Sequence, residues 1–245
     1  MVSRKPPVRT DERLLRRAVS GLIFLITGAN RRLGLAYANE LLKRGHSVIA
    51  CCRDPVKAQG LQKLAKDYPG MIEIIKYDDA AAALEKSALA SDGIDVLVSS
   101  AGVLLGGIMY CLTERPDPIA DLDDNFEVNT IGMLNTVLTF LPFLRKKQSG
   151  KKRIFVVSSQ GGSLGRDIAK TPIGAPCAAS KAAANMLALK FKAELENDGF
   201  FVAPFHPGGR IEVTLAAKMG VDVFFGAKPE KNGKCLSYDG GILPW

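Results

Sequence analysis

Glycine and arginine residues share one short loop near the start of the chain, TGANRRLG at positions 27–34. An apolar run at 22–27 precedes this loop, and a segment with helical spacing follows it. Glycines let the backbone approach a pyrophosphate closely, and the free amides at the start of a helix can bind its oxygens. The loop therefore predicts a dinucleotide site, whose candidate ligands are Thr27, Gly28, Asn30 and Gly34.

Three arginines predict which dinucleotide this loop binds. Arg31 and Arg32 lie in the loop itself, and Arg53 follows the second apolar run. Proteins of this kind that prefer NAD usually have an acidic residue after that run, which binds the ribose hydroxyls. Guanidinium groups in its place favour a 2′-phosphate, and hence NADPH as the cofactor. The alternative is that these arginines are ordinary surface residues.

The elements that position these residues follow from hydrophobic patterning. Short apolar runs alternate with amphipathic stretches, which predicts a parallel sheet with helices on both faces. Right-handed crossovers then give a Rossmann-like doubly wound α/β fold of three layers. The predicted strands cover 22–27, 46–52, 71–77, 93–100, 153–159 and 200–205. The predicted helices cover 33–45, 55–66, 80–91, 122–147 and 175–197.

Residues 21–245 are expected to form a single domain after a basic N-terminal extension, residues 1–20, and the last forty residues are expected to be irregular. Ligands of doubly wound sheets bind beyond the carboxyl ends of the strands. We therefore look for function in the loops that follow the predicted strands.

Composition excludes several classes of protein. The chain has 245 residues, a net charge of +8 and 47% hydrophobic residues, so it is not intrinsically disordered. No apolar run is long enough to span a bilayer. Basic residues concentrate in 1–20 and 145–153 without interleaved aromatic residues, so we expect no nucleic-acid partner. The first residues lack the apolar core of a secretory signal; a mitochondrial presequence stays an alternative, although Asp11 and Glu12 interrupt it.

Cysteine and histidine usage predicts neither disulfides nor a metal. The chain has five cysteines without CxxC spacing and two histidines, His46 and His206. An odd number of cysteines argues against a disulfide framework and favours a reducing compartment, so we expect a cytoplasmic protein. With so few histidines, no metal site is expected.

Further motifs make the chain resemble the short-chain dehydrogenase/reductase family over nearly its whole length. Besides the loop at 27–34, they are Asp78, SSAG at 99–102, Asn129 in EVNTIG, Ser159 in VVSSQGG, Lys181 in CAASK and HPG at 206–208. The ending GKCLSYDGGILPW resembles the C-factor-like subgroup of that family.

The resemblance implies a nicotinamide cofactor and an Asn-Ser-Tyr-Lys catalytic tetrad. Asn129 matches the asparagine, Ser159 the substrate-orienting serine, and Lys181 the lysine that holds the ribose and lowers the pKa of the tyrosine. The resemblance also implies dimer or tetramer contacts through helices 122–147 and 176–197, and further cofactor contacts at Asp78 (to adenine), Ala101, Gly102, Pro207 and Gly208.

The chain departs from the family pattern at three points besides the mild change to SSAG. Arg32 replaces the middle glycine of TGxxxGxG, so its side chain must point away from the cofactor or reposition it. Thr214 comes later after the PG dipeptide than the family's nicotinamide-contacting threonine. The third departure is Cys177, which stands where the family has its catalytic tyrosine, four residues before Lys181.

A thiol at 177 changes the expected chemistry. Lys181 is expected to favour its ionisation, yet a thiol is too short to reach where a phenol would protonate a ketone oxygen. Ketone reduction should therefore be slow, because general acid–base assistance supplies about 10²–10⁴-fold in rate. An iminium ion needs no proton, only placement and an anion near its charge. Asp167, in the loop after Ser159, is the candidate anion; alternatively it pairs with Arg166 or Lys170, or faces water.

The missing tyrosine and Asp167 together resemble the fungal indole-alkaloid reductase/Diels–Alderase branch of the family. That resemblance implies reduction of a cyclic iminium with NADPH and then an intramolecular [4+2] cycloaddition, in an apolar pocket lined from the 103–112 loop and the 209–226 segment. Two alternatives stay open. One is a carbonyl reductase with a different proton donor, and the other is a non-catalytic NADP(H)-binding regulatory protein.

Overall fold

The computed structural model describes residues 21–107, 109–147, 152–209 and 211–245, so the predicted basic extension lies outside the described residues. Its strands are β1 (Ile23–Thr27), β2 (Ser47–Cys52), β3 (Ile72–Lys76), β4 (Val96–Ser99), β5 (Arg153–Val157), β6 (Phe201–His206), β7 (Cys235–Ser237) and β8 (Ile242–Leu243). They form one sheet with the order β3-β2-β1-β4-β5-β6-β7-β8. All neighbouring pairs are parallel except β7 and β8.

Helices cover both faces of this sheet. They are α1 (Arg32–Lys43), α2 (Gln59–Asp67), α3 (Ala80–Glu85), α4 (Pro118–Phe126), α5 (Gly132–Lys146), α6 (Ala175–Leu195) and α7 (Val213–Phe225). A single π-helical segment, Glu127–Ile131, joins α4 to α5. The strand order reverses between β1 and β4, because β2 and β3 are added on one side of β1 and β4 and the later strands on the other. At such a point the adjoining strand ends leave a crevice for a ligand.

The alternation of side chains along buried strands explains the two core layers. Phe24 and Ile26 of β1 point into one cluster, and Ile23 and Leu25 point into the other. Because successive side chains of a strand face opposite ways, a strand buried on both sides must be apolar throughout. Residues of α1, α2 and α7 complete the first cluster, and residues of α3, α5 and α6 complete the second. The predicted doubly wound α/β fold of three layers is confirmed.

The last forty residues are more regular than their glycine content predicts. They contain helix α7 and the short strands β7 and β8. Ala217, Val221 and Phe224 of α7 are buried against the sheet. The buried guanidinium of Arg153 donates hydrogen bonds to the carbonyl oxygens of Phe224 and, at 3.1 Å, Ala227, where helix α7 ends. A cation at the carboxyl end of a helix is stabilising, so β5 fixes α7 in place.

One buried polar group of the first core cluster has no partner. Tyr37 of α1 is fully buried, and its hydroxyl makes no hydrogen bond with any residue that the structure describes. An unsatisfied buried hydroxyl costs about 1–3 kcal/mol of stability. Burial also raises the pKa of Tyr37 far above that of a free phenol.

Removing this hydroxyl should stabilise the protein. We expect Tyr37→Phe to raise the free energy of unfolding by about 1 kcal/mol, measured by urea denaturation. Tyr77→Phe is the matched control, because the Tyr77 hydroxyl lies 2.8 Å from Thr136 Oγ1 and its loss should destabilise. Equal effects of the two substitutions would show that the Tyr37 hydroxyl is satisfied in solution.

Candidate active site

The glycines of the 27–34 loop are required by close backbone packing. Gly28 has φ +65°, and a Cβ atom there would lie 2.9 Å from Ala101 Cα. A Cβ atom at Gly34 would overlap the carbonyl oxygen of Gly28. Thr27 fastens the loop after β4, since its Oγ1 accepts hydrogen bonds from the amides of Ser100 (3.1 Å) and Ala101 (3.2 Å). The loops that follow β1 and β4 are therefore connected and form one continuous surface.

Arg32 adopts a backbone conformation that is common only for glycine. Its φ is +45°, in the left-handed region, which costs a residue with a side chain roughly 1–2 kcal/mol. The Arg32 side chain is exposed and lines the cleft rather than filling the loop. Helix α1 begins here, and no side chain caps its first amides. These amides are available to an anion.

A cleft of about 550 Å³ opens at the carboxyl ends of β1, β2 and β4. Of the residues predicted to bind a cofactor, those that line it are Gly28, Asn30, Arg31, Arg32, Gly34, Arg53, Ala101 and Gly102. The glycine loop, the uncapped helix start and the guanidinium groups fit a dinucleotide phosphate. When bound, a nicotinamide cofactor would supply a hydride, and these residues would hold its phosphates.

Other lining residues carry no motif and were not predicted. They include Tyr77 after β3 and Glu127, Asn135 and Thr136 around the π-helical segment. Asp78, predicted to contact adenine, does not line the cleft; its carboxylate is exposed, 3.4 Å from Lys76 Nζ. Tyr77, the preceding residue, lines the cleft where the sequence analysis expected Asp78. The one indication of this in the sequence is that Tyr77 comes directly before Asp78, at the end of a predicted strand.

Asn129 is held in the π-helical segment by a full set of hydrogen bonds. It is buried, and its Oδ1 accepts from the Val103 amide at 2.9 Å. Its Nδ2 donates to the Val103 carbonyl and to Ser180 Oγ, each at 3.0 Å. π-Helical segments inside helices are frequent at functional sites. This one links the loop after β4 to helix α6, which carries Lys181.

Lys181 is a buried amine beside Asn129. Its Nζ donates to the Val157 carbonyl at 2.8 Å, and only 8% of the residue is exposed. A Cβ atom at Gly102 would lie 3.3 Å from this Nζ and 3.1 Å from Asn129 Oδ1, so the three residues meet at one point. Burial lowers the pKa of Lys181 to about 8. Among the described residues, no carboxylate lies within 4 Å of the amine.

The expectation that Cys177 would ionise more easily than an ordinary cysteine was wrong. Burial raises the pKa of Cys177, and the nearby charge of Lys181 lowers it by less. A half-buried thiol loses more hydration on ionising than a single neighbouring cation restores. Cys177 is therefore a neutral thiol at physiological pH.

The loop after β5 places Ser159 and Asp167 very differently. Ser159 is half-buried, its Oγ accepts from the Gly161 amide at 3.1 Å, and this turn packs closely on α6. The Asp167 side chain is 96% exposed, pairs with Lys170 at 2.9 Å and does not line the cleft. The predicted role of Asp167 toward a cation has no geometric support, and the ion pair with Lys170 is the arrangement found.

The segment after β6 is short, and its described residues do not line the cleft. Residues 207–212 alone separate β6 from α7. Gly208 has φ +84°, and a Cβ atom there would lie 3.0 Å from Tyr238. Thr214 lies in the first turn of α7, where its amide donates to Glu212 at 2.8 Å. Pro207, Gly208 and Thr214 do not line the cleft, and helix α7 packs on α1 instead.

The half-buried His46 and the buried His206 make stability depend on pH. His46 Nδ1 accepts from the Leu22 amide at 3.1 Å, and His206 Nδ1 accepts from the Gln160 amide at 3.2 Å. Burial lowers the pKa of both. The neutral form that accepts these bonds is thus favoured by folding. Its contribution is present above the unfolded-state pKa of about 6.5 and is lost as pH falls through the lower folded-state pKa.

We expect the free energy of unfolding to decrease as the pH is lowered below about 6.5. Urea denaturation across this range checks the expectation. His206→Asn keeps a side-chain acceptor that does not titrate, and the variant should lose less stability on acidification. An identical decline in both proteins would exclude His206 as a cause.

Comparisons with known proteins agree with this geometry. The family model for short chain dehydrogenases matches residues 22–220. Short chain dehydrogenase gsfK of Penicillium aethiopicum is 32% identical, with 90% of this chain and 98% of gsfK aligned. The C-signal of Myxococcus xanthus is 34% identical over 62% of this chain and 93% of its own. The NADPH-bound carbonyl reductase from chicken fatty liver is 26% identical and superposes with a TM-score of 0.79, covering 92% and 99% of the two chains.

The chain belongs to the short-chain dehydrogenase family. It is an oxidoreductase of that type, with a nicotinamide cofactor and a small-molecule substrate. Within the residues that the structure describes, no group of His, Cys, Asp and Glu side chains could hold a metal ion. No helix among those residues has the length and apolar character to cross a membrane.

Proposed function

We propose that this protein is an NADPH-dependent reductase of bulky, apolar carbonyl compounds. The observation that carries the proposal is the point where Gly102, Asn129 and Lys181 meet, beside a cleft with three arginines. A buried amine without a carboxylate partner favours an acceptor that gains negative charge as it is reduced. A carbonyl oxygen is such an acceptor.

Positive charge around the cleft supports NADPH rather than NADH. Arg31 and Arg32 lie at the start of α1, where the helix dipole is already positive. Cations there are unfavourable unless an anion binds between them. Arg53 after β2 adds a third guanidinium, and the neighbouring Asp54 turns away to accept from the amides of its own turn, at Val56 and Lys57. A 2′-phosphate supplies the missing anion.

Exposed apolar residues on two loops support the proposal of an apolar substrate. The loop after β4 and the loop after β5 are joined by an antiparallel bridge between Cys111 and Ile173. Large apolar side chains are exposed along both. They are Leu104, Leu105, Met109, Tyr110 and Leu112 in the first loop, and Leu164 and Ile168 in the second; we call this set the apolar rim. Exposed apolar patches of this kind mark binding surfaces.

The test compares acceptors of different charge and size. Purified protein with NADPH is given isatin, acetone, or N-methyl dihydroisoquinolinium, a cyclic iminium with a permanent charge. The proposal expects oxidation of NADPH with isatin and much slower oxidation with acetone or the iminium. Leu104→Ser should raise KM for isatin. Val56→Ser is its control, since Val56 is exposed on the connection after β2 and belongs neither to the rim nor to the lining of the cleft.

An iminium reductase is the second candidate, and Cys177 is the observation that favours it. Without a phenol, a substrate that needs no proton has an advantage. The buried positive charge of Lys181 and the exposure of Asp167 both oppose a cationic substrate. Turnover of the iminium alone would establish this candidate and would justify a search for the cycloaddition. Binding of NADPH without turnover of any acceptor would favour the non-catalytic regulatory protein.

A homodimer or homotetramer is part of the proposal. Three large apolar residues are exposed on neighbouring helical segments: Ile131 at the end of the π-helical segment, Leu138 on α5 and Met186 on α6. A second copy could cover them. Sedimentation of the native protein and of Leu138→Glu measures the assembly.

A further inference from the structure

Reduction of a carbonyl needs a proton, and the position that should supply it holds Cys177. The thiol is half-buried and short, and it stands one helical turn before Lys181 on α6. A thiol is shorter than a ring with its hydroxyl, so Cys177 extends less far from helix α6 than a tyrosine would. The amine of Lys181 lies next to the cleft, because its neighbours Gly102 and Val157 both line it.

We infer that Lys181 itself, directly or through one water, delivers the proton to the carbonyl oxygen of the substrate. The inference rests on the proposed carbonyl reductase function. It gives Lys181 a role beyond holding the cofactor ribose, and it leaves Cys177 without a role in proton transfer.

The hydrogen bonding of Lys181 leaves N–H groups of its amine available to a substrate. One of its hydrogens goes to the Val157 carbonyl at 2.8 Å, and this bond holds the amine against β5. The other two have no protein acceptor among the described residues. No carboxylate stabilises the ammonium form, and burial brings the pKa down to about 8. An acid whose pKa lies close to the working pH is the most effective proton donor.

None of the described charged groups on the elements packed against α6 forms an ion pair with Lys181. Asp121 of α4 pairs with Arg115, Arg153 of β5 bonds the end of α7, and His206 of β6 accepts from Gln160. The remaining acids of α4 and the π-helical segment, Asp123, Asp124 and Glu127, are exposed, and Glu196 and Asp198 beyond α6 pair with Lys192 and Arg145. Cys177 is thus the one titratable neighbour that affects Lys181 among the described residues.

The step balances in atoms and electrons. As a hydride from NADPH forms the new C–H bond, the C=O π electrons move to oxygen. An N–H bond of Lys181 breaks, its electron pair stays on nitrogen, and the proton forms the O–H bond. The carbonyl is reduced to an alcohol, NADPH is oxidised to NADP⁺, and the neutral amine regains a proton from water.

The first test is the pH dependence of kcat for isatin with saturating NADPH. Below about pH 8 kcat should be constant, and above it kcat should fall tenfold per pH unit. Cys177→Tyr should move this decline to higher pH, because a phenol then donates. Lys181→Arg should lose kcat by about 10²-fold or more and show no decline near pH 8. A flat profile for the native protein up to about pH 10, where an ordinary lysine titrates, would overturn the inference.

The second test measures the pKa of the Lys181 amine without catalytic turnover. Trace acetic anhydride labels the free protein at a series of pH values, and mass spectrometry follows the peptide that contains Lys181. Half-maximal reactivity near pH 8 is expected. Half-maximal reactivity above about pH 10 would overturn the inference.

The two proposals fail in different ways. If the native protein reduces isatin with a kcat that stays flat up to about pH 10, Lys181 is not the donor and the reductase function stands. If the native protein binds NADPH and reduces no carbonyl compound, while Cys177→Tyr does, the proposed function of the native protein fails. If neither protein reduces any carbonyl compound, the proposed function fails as well.

Discussion

Replacing Cys177 by Tyr should raise the kcat of carbonyl reduction by at least about 10²-fold. A phenol one turn before Lys181 reaches the substrate oxygen directly, and the neighbouring ammonium stabilises its ionised form. General acid assistance is worth about 10²–10⁴-fold in rate, and we expect the lower end because Lys181 already supplies part of it. Steady-state kinetics with isatin and NADPH measure the change.

Cys177→Phe is the control for this gain. Phenylalanine fills the same space without a hydroxyl, so any benefit from shape alone appears in both variants. Equal rates for Cys177→Phe and Cys177→Tyr would contradict the account, because the gain would then come from packing. A fall in iminium turnover on Cys177→Tyr, with no gain in carbonyl turnover, would favour the iminium reductase.

Removing Arg53 should weaken NADPH binding by about 10-fold and leave NADH binding unchanged. Hydrogen bonds between charged groups contribute about 1.5–3 kcal/mol, and the exposure of Arg53 reduces that value through screening by water and salt. Arg53→Ala is therefore compared with the native protein by fluorescence titration at low salt, and the difference should shrink as salt is added.

Lys57→Ala controls for the loss of a positive charge in this region. Lys57 is exposed on the same connection, pairs with Asp54 and does not line the cleft. Its removal should leave the affinity for NADPH within about twofold, since exposed charges at this distance are largely screened. Equal losses for Arg53→Ala and Lys57→Ala would show a general electrostatic effect rather than a phosphate contact.

The fold was predictable because its strands are buried on both faces. A strand such as Ile23–Thr27, with all five residues buried, must be a short apolar run, and short apolar runs are visible in a sequence. The glycine loop was predictable for a similar reason. Gly28 and Gly34 meet backbone atoms, so no other residue fits without a shift.

Long-range contacts explain what the sequence did not show. The predicted helix 122–147 is interrupted by the π-helical segment at Glu127–Ile131, where Asn129 bonds to Val103 and Ser180 from outside the helix. Such bonds leave no periodic signal. Helix α7 was missed because its register is fixed by Arg153, seventy-one residues before Phe224.

Side-chain ionisation was the least predictable property of the site. The charge of Lys181 was visible from its spacing to Cys177, but the burial that outweighs it depends on the packed structure. The position of Asp167 likewise depends on a loop whose nearest cation, Lys170, lies in the same turn. Spacing identifies which residues can interact, whereas burial decides which interaction is the stronger.

Titration of the native protein with NADPH and, in parallel, with NADH tests the central claim most directly. The account predicts that NADPH binds at least about 10-fold more tightly, because Arg31, Arg32 and Arg53 line the cleft at the start of α1 and the end of β2. Binding of neither nucleotide, or tighter binding of NADH, would contradict it. The positively charged cleft would then not be a site for the 2′-phosphate.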